Sequence, residues 1–141
     1  MPRYDAHHET VKTALKKDGW TITDDPFIIS VGRRRLLADL GAEKTIDASP
    51  AKSKVVIEIK VLGGDSLVND LHRAIGQYQN YRSLLRYLKS ERKLYLAIPI
   101  SVYAQEFHDE MVQTIISDQQ ILLLIFDPEK EEIVQWINPP N

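Results

Sequence analysis

Hydrophobic and polar positions follow two different periods along this chain of 141 residues. Apolar residues recur every three or four positions in three segments, which predicts helices over residues 6–18, 67–89 and 102–117. Ser66 and Ser101 are the expected caps of the second and third helices. Short apolar or alternating runs predict seven strands, at residues 20–23, 27–31, 36–43, 55–61, 94–98, 121–126 and 133–137.

These elements indicate an αβββαβ core followed by an αββ extension, which is typical of a mixed sheet flanked by helices. The length and the ordinary 43% hydrophobic content predict a single domain over residues 1–141. The chain has no cysteine, which excludes disulfide scaffolds, thiol nucleophiles and cysteine-based zinc sites. The longest apolar run, Ile121 to Phe126, is too short to cross a bilayer, and no secretory signal is visible. We therefore expect a cytoplasmic protein without a membrane span.

The charges are distributed unevenly although they nearly cancel. Residues 1–93 carry 17 Lys/Arg and 12 Asp/Glu, whereas residues 94–141 carry one lysine and 8 Asp/Glu. A basic surface suits a phosphate backbone, and the run Arg33, Arg34 and Arg35 is a candidate for phosphate contacts. Solubilising surface charge is an equally simple explanation of the same run.

One group of residues suggests catalytic chemistry. Glu58 and Lys60 occupy alternate positions of a β-branched run, so their side chains point to the same face of a strand. If the preceding strand pairs with this one as a hairpin, Asp39 converges with Glu58. Two converging carboxylates can hold Mg²⁺ or Mn²⁺, and a metal-bound water can attack a phosphodiester. The alternative is a structural ion pair between Glu58 and Lys60, with Asp39 as a third member.

The arrangement of Asp39 with Glu58-Ile59-Lys60 resembles the PD-(D/E)xK nuclease superfamily. Ala38, not proline, precedes Asp39, and that proline is often absent in such proteins. The resemblance implies a restriction-endonuclease-like fold, Mg²⁺-dependent hydrolysis of DNA, and acidic ligands on the second and third core strands.

Two further features fit the same superfamily. Gln77 and Tyr81 resemble the Gln-x-x-x-Tyr element of its RecB-like branch, which places both among the candidate site residues. In this superfamily the first helix often contributes an acid to the metal site. Glu9 is the candidate for that role here and His8 is the alternative, although a buried structural histidine is the simpler interpretation of His8.

Several longer blocks resemble the XisH family, the fdxN element excision controlling factors of cyanobacteria. The blocks are His8-x-x-Val11-x-x-Ala14-Leu15 and residues 18–26, 38–44, 56–60, 76–78, 92–98 and 130–137. This resemblance implies a role in developmentally regulated DNA excision, beside a site-specific recombinase and a small XisI-like companion protein. The expected partners are DNA and that companion, and a homodimer is left open. The rival interpretation is a non-catalytic module that binds DNA or the companion.

Overall fold

The computed structural model describes residues 7–45, 52–62 and 66–138. The helices in these ranges are α1 (His8–Lys17), α2 (Leu67–Tyr87), α3 (Ile100–Glu106) and α4 (Glu110–Asp118). The strands are β1 (Thr21–Asp24), β2 (Phe27–Val31), β3 (Arg34–Ala38), β4 (Leu40–Thr45), β5 (Lys52–Ile59), β6 (Lys93–Pro99), β7 (Leu123–Asp127) and β8 (Glu132–Ile137). The predicted first helix is confirmed from His8 onward, and position 6 lies outside the described residues. Every helix in these ranges is too short or too polar to span a bilayer.

Six strands form one mixed sheet in the order β1-β4-β5-β6-β7-β8. β1, β4 and β5 are antiparallel neighbours, β5, β6 and β7 run parallel, and β8 is antiparallel to β7. β2 and β3 form a separate antiparallel hairpin. The crossover between parallel β5 and β6 contains α2, as parallel neighbours require a long connection. The predicted mixed α/β architecture is therefore confirmed.

Two apolar layers cover the two faces of the sheet. Val56 and Leu96 face the layer that contains α2 and the β2–β3 hairpin. Val55 and Ile57 face the layer that contains α1. Because side chains alternate across a strand, Glu58 shares the α2 face of β5 with Val56. A carboxylate is thus placed on a face whose other buried side chains are apolar.

The predicted strand over residues 36–43 is two strands, which corrects the expected order. β3 ends at Ala38 and pairs with β2, whereas β4 begins at Leu40 and pairs with β1 and β5. Asp39 lies where the chain changes partner. Among the described residues, five strands precede α2, one more than the four runs predicted there and two more than the αβββ order of the predicted core allows.

The predicted single helix over residues 102–117 is also wrong. α3 and α4 are separated by a break at which Phe107 is buried in the core. Asp109 then caps α4, because its Oδ2 accepts a hydrogen bond from the Val112 backbone N–H at 3.1 Å. Ser101 lies inside α3 and is not its cap. The predicted cap of α2 is confirmed, since Ser66 accepts a hydrogen bond from the Asn69 N–H.

Candidate functional site

Asp39 and Glu58 are interlocked by two hydrogen bonds between side chain and backbone. The Asp39 N–H donates to Glu58 Oε1 at 3.2 Å, and the Ile59 N–H donates to Asp39 Oδ2 at 2.7 Å. The register of β4 and β5 accounts for this placement, because Leu40 lies opposite Ile57. The acid that precedes Leu40 therefore lies beside the acid that follows Ile57.

Glu58 is the more buried of the two acids, with 7% of its side chain exposed against 32% for Asp39. Burial and, next, the negative charge of Asp39 raise the pKa of Glu58 to about 8. The Lys60 ammonium and the Asp39 backbone N–H act in the opposite direction but are outweighed. The Glu58 carboxyl group therefore retains a proton near neutral pH when no other cation is close.

Lys60 directly follows the end of β5 and remains aligned with β6, because its N–H donates to the Ala97 carbonyl at 3.0 Å. Its Nζ lies 3.5 Å from Glu58 Oε2, and its side chain is 30% exposed. Lys60 thus reaches the buried acid from a partly solvated position. This contact serves either a structural ion pair or a catalytic cation, the two roles that the sequence leaves open.

Gln77 and Tyr81 form a hydrogen-bonded pair on α2. Gln77 Nε2 donates to the Tyr81 hydroxyl at 2.9 Å, and that hydroxyl donates to the Leu37 carbonyl at 2.9 Å. Burial and, next, the charge of Glu58 raise the pKa of Tyr81. The helix is thereby tied to the last residues of β3, immediately before Asp39.

His8 connects the acid pair to a second cluster on α1 and the β1–β2 loop. Its Nε2 lies 2.7 Å from Asp25 Oδ1, and its Nδ1 lies 4.0 Å from Asp39 Oδ1. Lys12 donates to Asp25 Oδ2 at 2.7 Å. Burial acts to raise the pKa of Asp25, but hydrogen bonds from Lys12 and His8 outweigh it and lower that pKa. His8 is buried and partnered, as the simpler interpretation expects.

Glu9, the predicted metal ligand of the first helix, lies in this second cluster. Ligand atoms of His8, Glu9 and Asp25 all lie within 4.8 Å of one another. The Glu9 side chain is 81% exposed, and the Lys12 ammonium lies 3.7 Å from it. Lys12 lies between these two carboxylates and compensates one of their two negative charges.

The three arginines of the predicted phosphate-binding run lie at the tip of the β2–β3 hairpin. Arg33 lies in the turn, and Arg34 and Arg35 begin β3. All three are exposed. The run is thus a projecting, solvated group of positive charges.

The Asp39 and Glu58 pair suits a hard divalent cation. Carboxylate oxygens are the ligands that Mg²⁺ prefers, and each acid keeps one oxygen outside the two interlocking bonds. A cation at this position would also stabilise the ionised form of Glu58, which burial disfavours. The donor set and the electrostatics therefore both fit Mg²⁺ or Mn²⁺.

Sequence reasoning missed Asp25 and Lys12 as neighbours of the site. Asp25 lies in the short segment between two predicted strands and Lys12 in the predicted first helix, and neither was a candidate site residue. The contacts arise because α1 packs beside β1, which brings residues 8 and 12 to the loop after that strand. No local spacing in the sequence encodes that approach.

Comparison with known proteins identifies a family and two similar solved structures. The family model XisH, described as XisH protein, matches residues 1–134. A fdxN element excision controlling factor protein from Anabaena variabilis is 44% identical, with a TM-score of 0.85 over 95% of this chain and 99% of that chain. An XisH family protein from Nostoc punctiforme PCC 73102 is 41% identical, with a TM-score of 0.84 over 95% of this chain and 100% of that chain. No curated protein is significantly similar in sequence to the chain.

Proposed function

The chain belongs to the XisH family, and from this premise we propose that it acts in DNA element excision as a divalent-metal-dependent endonuclease. The name of the Anabaena variabilis relative supports the role in excision. The interlocked pair of Asp39 and Glu58, with Lys60 beside it, is the observation that carries the proposed chemistry. In the same proposal, the α1 to β6 region corresponds to a restriction-endonuclease-like core.

In this proposal Asp39 and Glu58 hold Mg²⁺ or Mn²⁺ through carboxylate oxygens. The ion, when bound, supplies Lewis-acid stabilisation of the phosphodiester and lowers the pKa of a coordinated water. Lys60 lies at the solvated side of Glu58, where its ammonium offsets negative charge that develops on the phosphate.

Gln77 and Tyr81 act as positioning residues in the proposed site. Their hydrogen bonds fix the Leu37 carbonyl, and Leu37 is two residues before Asp39. His8 limits the movement of Asp39 from the other side, with its ring held by Asp25. The arginines of the hairpin tip supply phosphate contacts that position the DNA without reading its sequence.

The test is a cleavage assay on a panel of single-stranded, duplex, supercoiled and branched DNA, with Mg²⁺, Mn²⁺ or EDTA. We expect metal-dependent cleavage of at least one substrate, and a loss of about 100-fold or more in Asp39→Asn, Glu58→Gln and Lys60→Met. Glu43→Gln is the matched control, because Glu43 lies on β4 but pairs with Lys52 at 2.9 Å. Calorimetric titration with Mg²⁺ should show binding to the wild type, to Glu43→Gln and to Lys60→Met, and no binding to Asp39→Asn or Glu58→Gln.

Absence of both cleavage and metal binding in the wild type would overturn the nuclease proposal. Equal activity in wild type and Asp39→Asn would do the same, because contaminating nuclease would then explain the cleavage.

A second candidate function is a non-catalytic module that binds an XisI-like companion protein. The observation that favours it is the acidic C-terminal third, where Lys130 is the only lysine or arginine after position 93. Glu110 and Asp118, at the two ends of α4, carry part of this charge on exposed positions. An acidic surface of this kind suits a basic protein partner better than DNA.

Co-purification with an XisI-like protein tests the second function. Reversing charge in Glu110→Lys with Asp118→Lys should weaken the complex and its dependence on salt, whereas Asp39→Asn should leave the complex intact. A complex that forms equally well after the charge reversal would contradict an interface on this helix.

A further inference from the structure

A cavity of about 430 Å³ opens at the end of the sheet that lies away from the two acids. Lys93, in its wall, is the first residue of β6 and pairs with Val55, whereas Glu58 pairs with Leu96. The two places are thus separated by about 10 Å along the strands. None of the candidate site residues lines this cavity.

The wall of the cavity combines positive charge with an apolar floor. Four lining residues are cationic, namely Arg82, Arg86, Arg92 and Lys93, and no carboxylate lines it among the described residues. Apolar surface comes from Leu85, Leu94 and Leu122 and from the ring of Tyr78. The Tyr78 hydroxyl is fixed, because it donates to the Leu94 carbonyl at 2.7 Å and accepts from the Leu122 N–H at 3.1 Å.

Arg82 is held in a defined position beside this floor. Its guanidinium lies 5.1 Å from the centroid of the Tyr78 ring, and Nη1 donates to the carbonyls of Gln119 and Gln120 at 3.0 Å each. A guanidinium has five N–H donors in a rigid plane, so these two bonds do not exhaust them. The group is therefore both ordered and able to donate further.

The other cations differ in how far they are already neutralised. The Arg92 guanidinium turns toward β4 and β5, where it lies 3.6 Å from Asp24 and donates to the Val55 carbonyl. Arg86 and Lys93 take part in no ion pair within the described parts of the chain. Glu91, the nearest acid in sequence, lies 3.9 Å from Lys54 instead. Positive charge from Arg82, Arg86 and Lys93 is thus uncompensated around one concave surface.

We propose that this cavity binds a phosphate-bearing ligand of nucleotide size. Its volume lies in the range of small-molecule sites, which runs from about 300 to 1,000 Å³. Arginine binds phosphate in a planar, bidentate manner, so Arg82 and Arg86 receive the phosphate together with Lys93. The apolar floor formed by Tyr78 and the leucines receives the non-polar part of the ligand. The ligand is either a free nucleotide or the phosphorylated end of a nucleic acid strand, since both carry this chemistry.

The test measures binding of a mononucleotide, inorganic phosphate, and single-stranded oligonucleotides with and without a 5′-phosphate, all in EDTA. EDTA removes divalent metal, so the result does not depend on the proposed nuclease site. The double variant Arg86→Gln with Lys93→Gln should lose about tenfold or more in affinity, which corresponds to about 1.4 kcal/mol. Both residues are exposed, and a circular dichroism melt shows whether the variant folds.

The matched control is Lys16→Gln with Lys17→Gln, which removes the same charge from the last turn of α1. Tighter binding of the mononucleotide than of phosphate, lost only in the cavity variant, supports a free nucleotide as ligand. Preference for the 5′-phosphorylated strand, lost in the same variant, supports a nucleic acid end. Absence of binding in every arm at millimolar ligand, or an equal loss in the control variant, overturns the proposal.

Discussion

Glu58 is a buried carboxyl group whose nearest charged neighbours are one carboxylate and one ammonium. Burial and the charge of Asp39 disfavour its ionisation, whereas Lys60 favours it. The first two effects are stronger, so the pKa of Glu58 is raised to about 8. A divalent cation reverses that balance, because it compensates both acids at once. The charge state of this single residue thus distinguishes a structural pair from a metal site.

Replacing Lys60 by methionine should have an effect that depends on pH. At pH 6 Glu58 is mostly neutral, so the loss in unfolding free energy should stay below about 0.5 kcal/mol. At pH 9 the carboxylate has lost its ammonium partner, and the loss should reach about 1–2 kcal/mol, reduced by the partial exposure of Lys60. Urea unfolding at both pH values measures this, and added Mg²⁺ should reduce the loss at pH 9.

Lys54→Met is the control for that experiment, because Lys54 also lies on β5 and pairs with exposed Glu91 at 3.9 Å. This substitution should lower the free energy of unfolding by less than about 0.5 kcal/mol at either pH. A loss of several kilocalories for Lys60→Met that neither pH nor Mg²⁺ changes would mean that Glu58 and Lys60 form a fixed structural pair.

The pKa of Glu58 also makes a prediction for the stability of the wild-type protein. Between pH 4.5 and about 8 the folded protein holds a proton that the unfolded chain has released. The free energy of unfolding should therefore fall as pH rises through this range, by at most about 1.4 kcal/mol per pH unit. Glutamine cannot titrate, so the pH profile of the free energy of unfolding of Glu58→Gln lacks the contribution of the Glu58 proton. The difference between this profile and that of the wild type measures that contribution. Parallel pH profiles for the two proteins would contradict the raised pKa.

At the scale of elements, two tyrosines attach α2 to its neighbours, Tyr78 to the six-stranded sheet and Tyr81 to the β2–β3 hairpin. Tyr78 is the more buried and bridges backbone groups of residues 94 and 122, while Tyr81 bonds to Leu37 at the end of β3. Tyr78→Phe should lower the free energy of unfolding by about 2 kcal/mol, because it removes the hydrogen bonds to the Leu94 carbonyl and the Leu122 N–H, and Tyr81→Phe should lower it by about 1 kcal/mol. Tyr87→Phe, at an exposed position, should be neutral in the same urea unfolding series. A Tyr81→Phe value equal to that of Tyr87→Phe would show that the hydroxyl does not stabilise the hairpin.

The β2–β3 hairpin carries the second prediction at this scale. Arg33→Ala with Arg34→Ala should weaken binding of all DNA sequences about equally, because phosphate contacts position DNA but do not specify its sequence. The slope of log affinity against log salt should fall by about 2 on duplex DNA, as two phosphate contacts are lost. Fluorescence anisotropy at several salt concentrations measures both quantities. Lys16→Ala with Lys17→Ala, on the last turn of α1, is the control and should change neither.

The elements that sequence reasoning predicted well are those in which local pattern and tertiary structure agree. The β-branched run of β5 and the capped stripe of α2 are of this kind, and they place Glu58, Gln77 and Tyr81. Residues 36–43 look like one strand because apolar positions continue across Asp39. The change of partner at Asp39 depends on pairing with β2 on one side and β5 on the other, which no local pattern contains.

The same limit applies to the site. The convergence of Asp39 and Glu58 was accessible from the sequence, because antiparallel pairing of neighbouring strands fixes which residues lie side by side. The contact of His8 with Asp25 and Asp39 was not, because it depends on how α1 packs against the edge of the sheet. The break between α3 and α4 likewise depends on burial of Phe107. The helical spacing of apolar residues does not predict this break.

At the scale of the whole molecule, the uneven charge distribution gives the protein separate basic and acidic surfaces. The hairpin tip and the cavity at the start of β6 carry arginines and lysines, whereas α4 and the β7–β8 turn carry acids. A basic surface attracts nucleic acid over distances of about 8 Å at physiological salt, and an acidic surface repels it. The two proposed functions, DNA cleavage and protein binding, therefore use different surfaces and can be tested independently.

Global stability offers a final test that does not require a cleavable substrate. A ligand that binds only the folded state stabilises it by about 2.7 kcal/mol at 100 times its dissociation constant. For a domain of this size, that corresponds to an increase in Tm of about 5–10 °C. Because Glu58 must release its proton to bind the ion, the increase should be larger at pH 8 than at pH 6. Differential scanning fluorimetry with Mg²⁺ against EDTA measures it, and Asp39→Asn should show no increase at either pH, whereas Glu43→Gln should behave as the wild type. An increase of the same size in Asp39→Asn would place the bound ion elsewhere on the molecule.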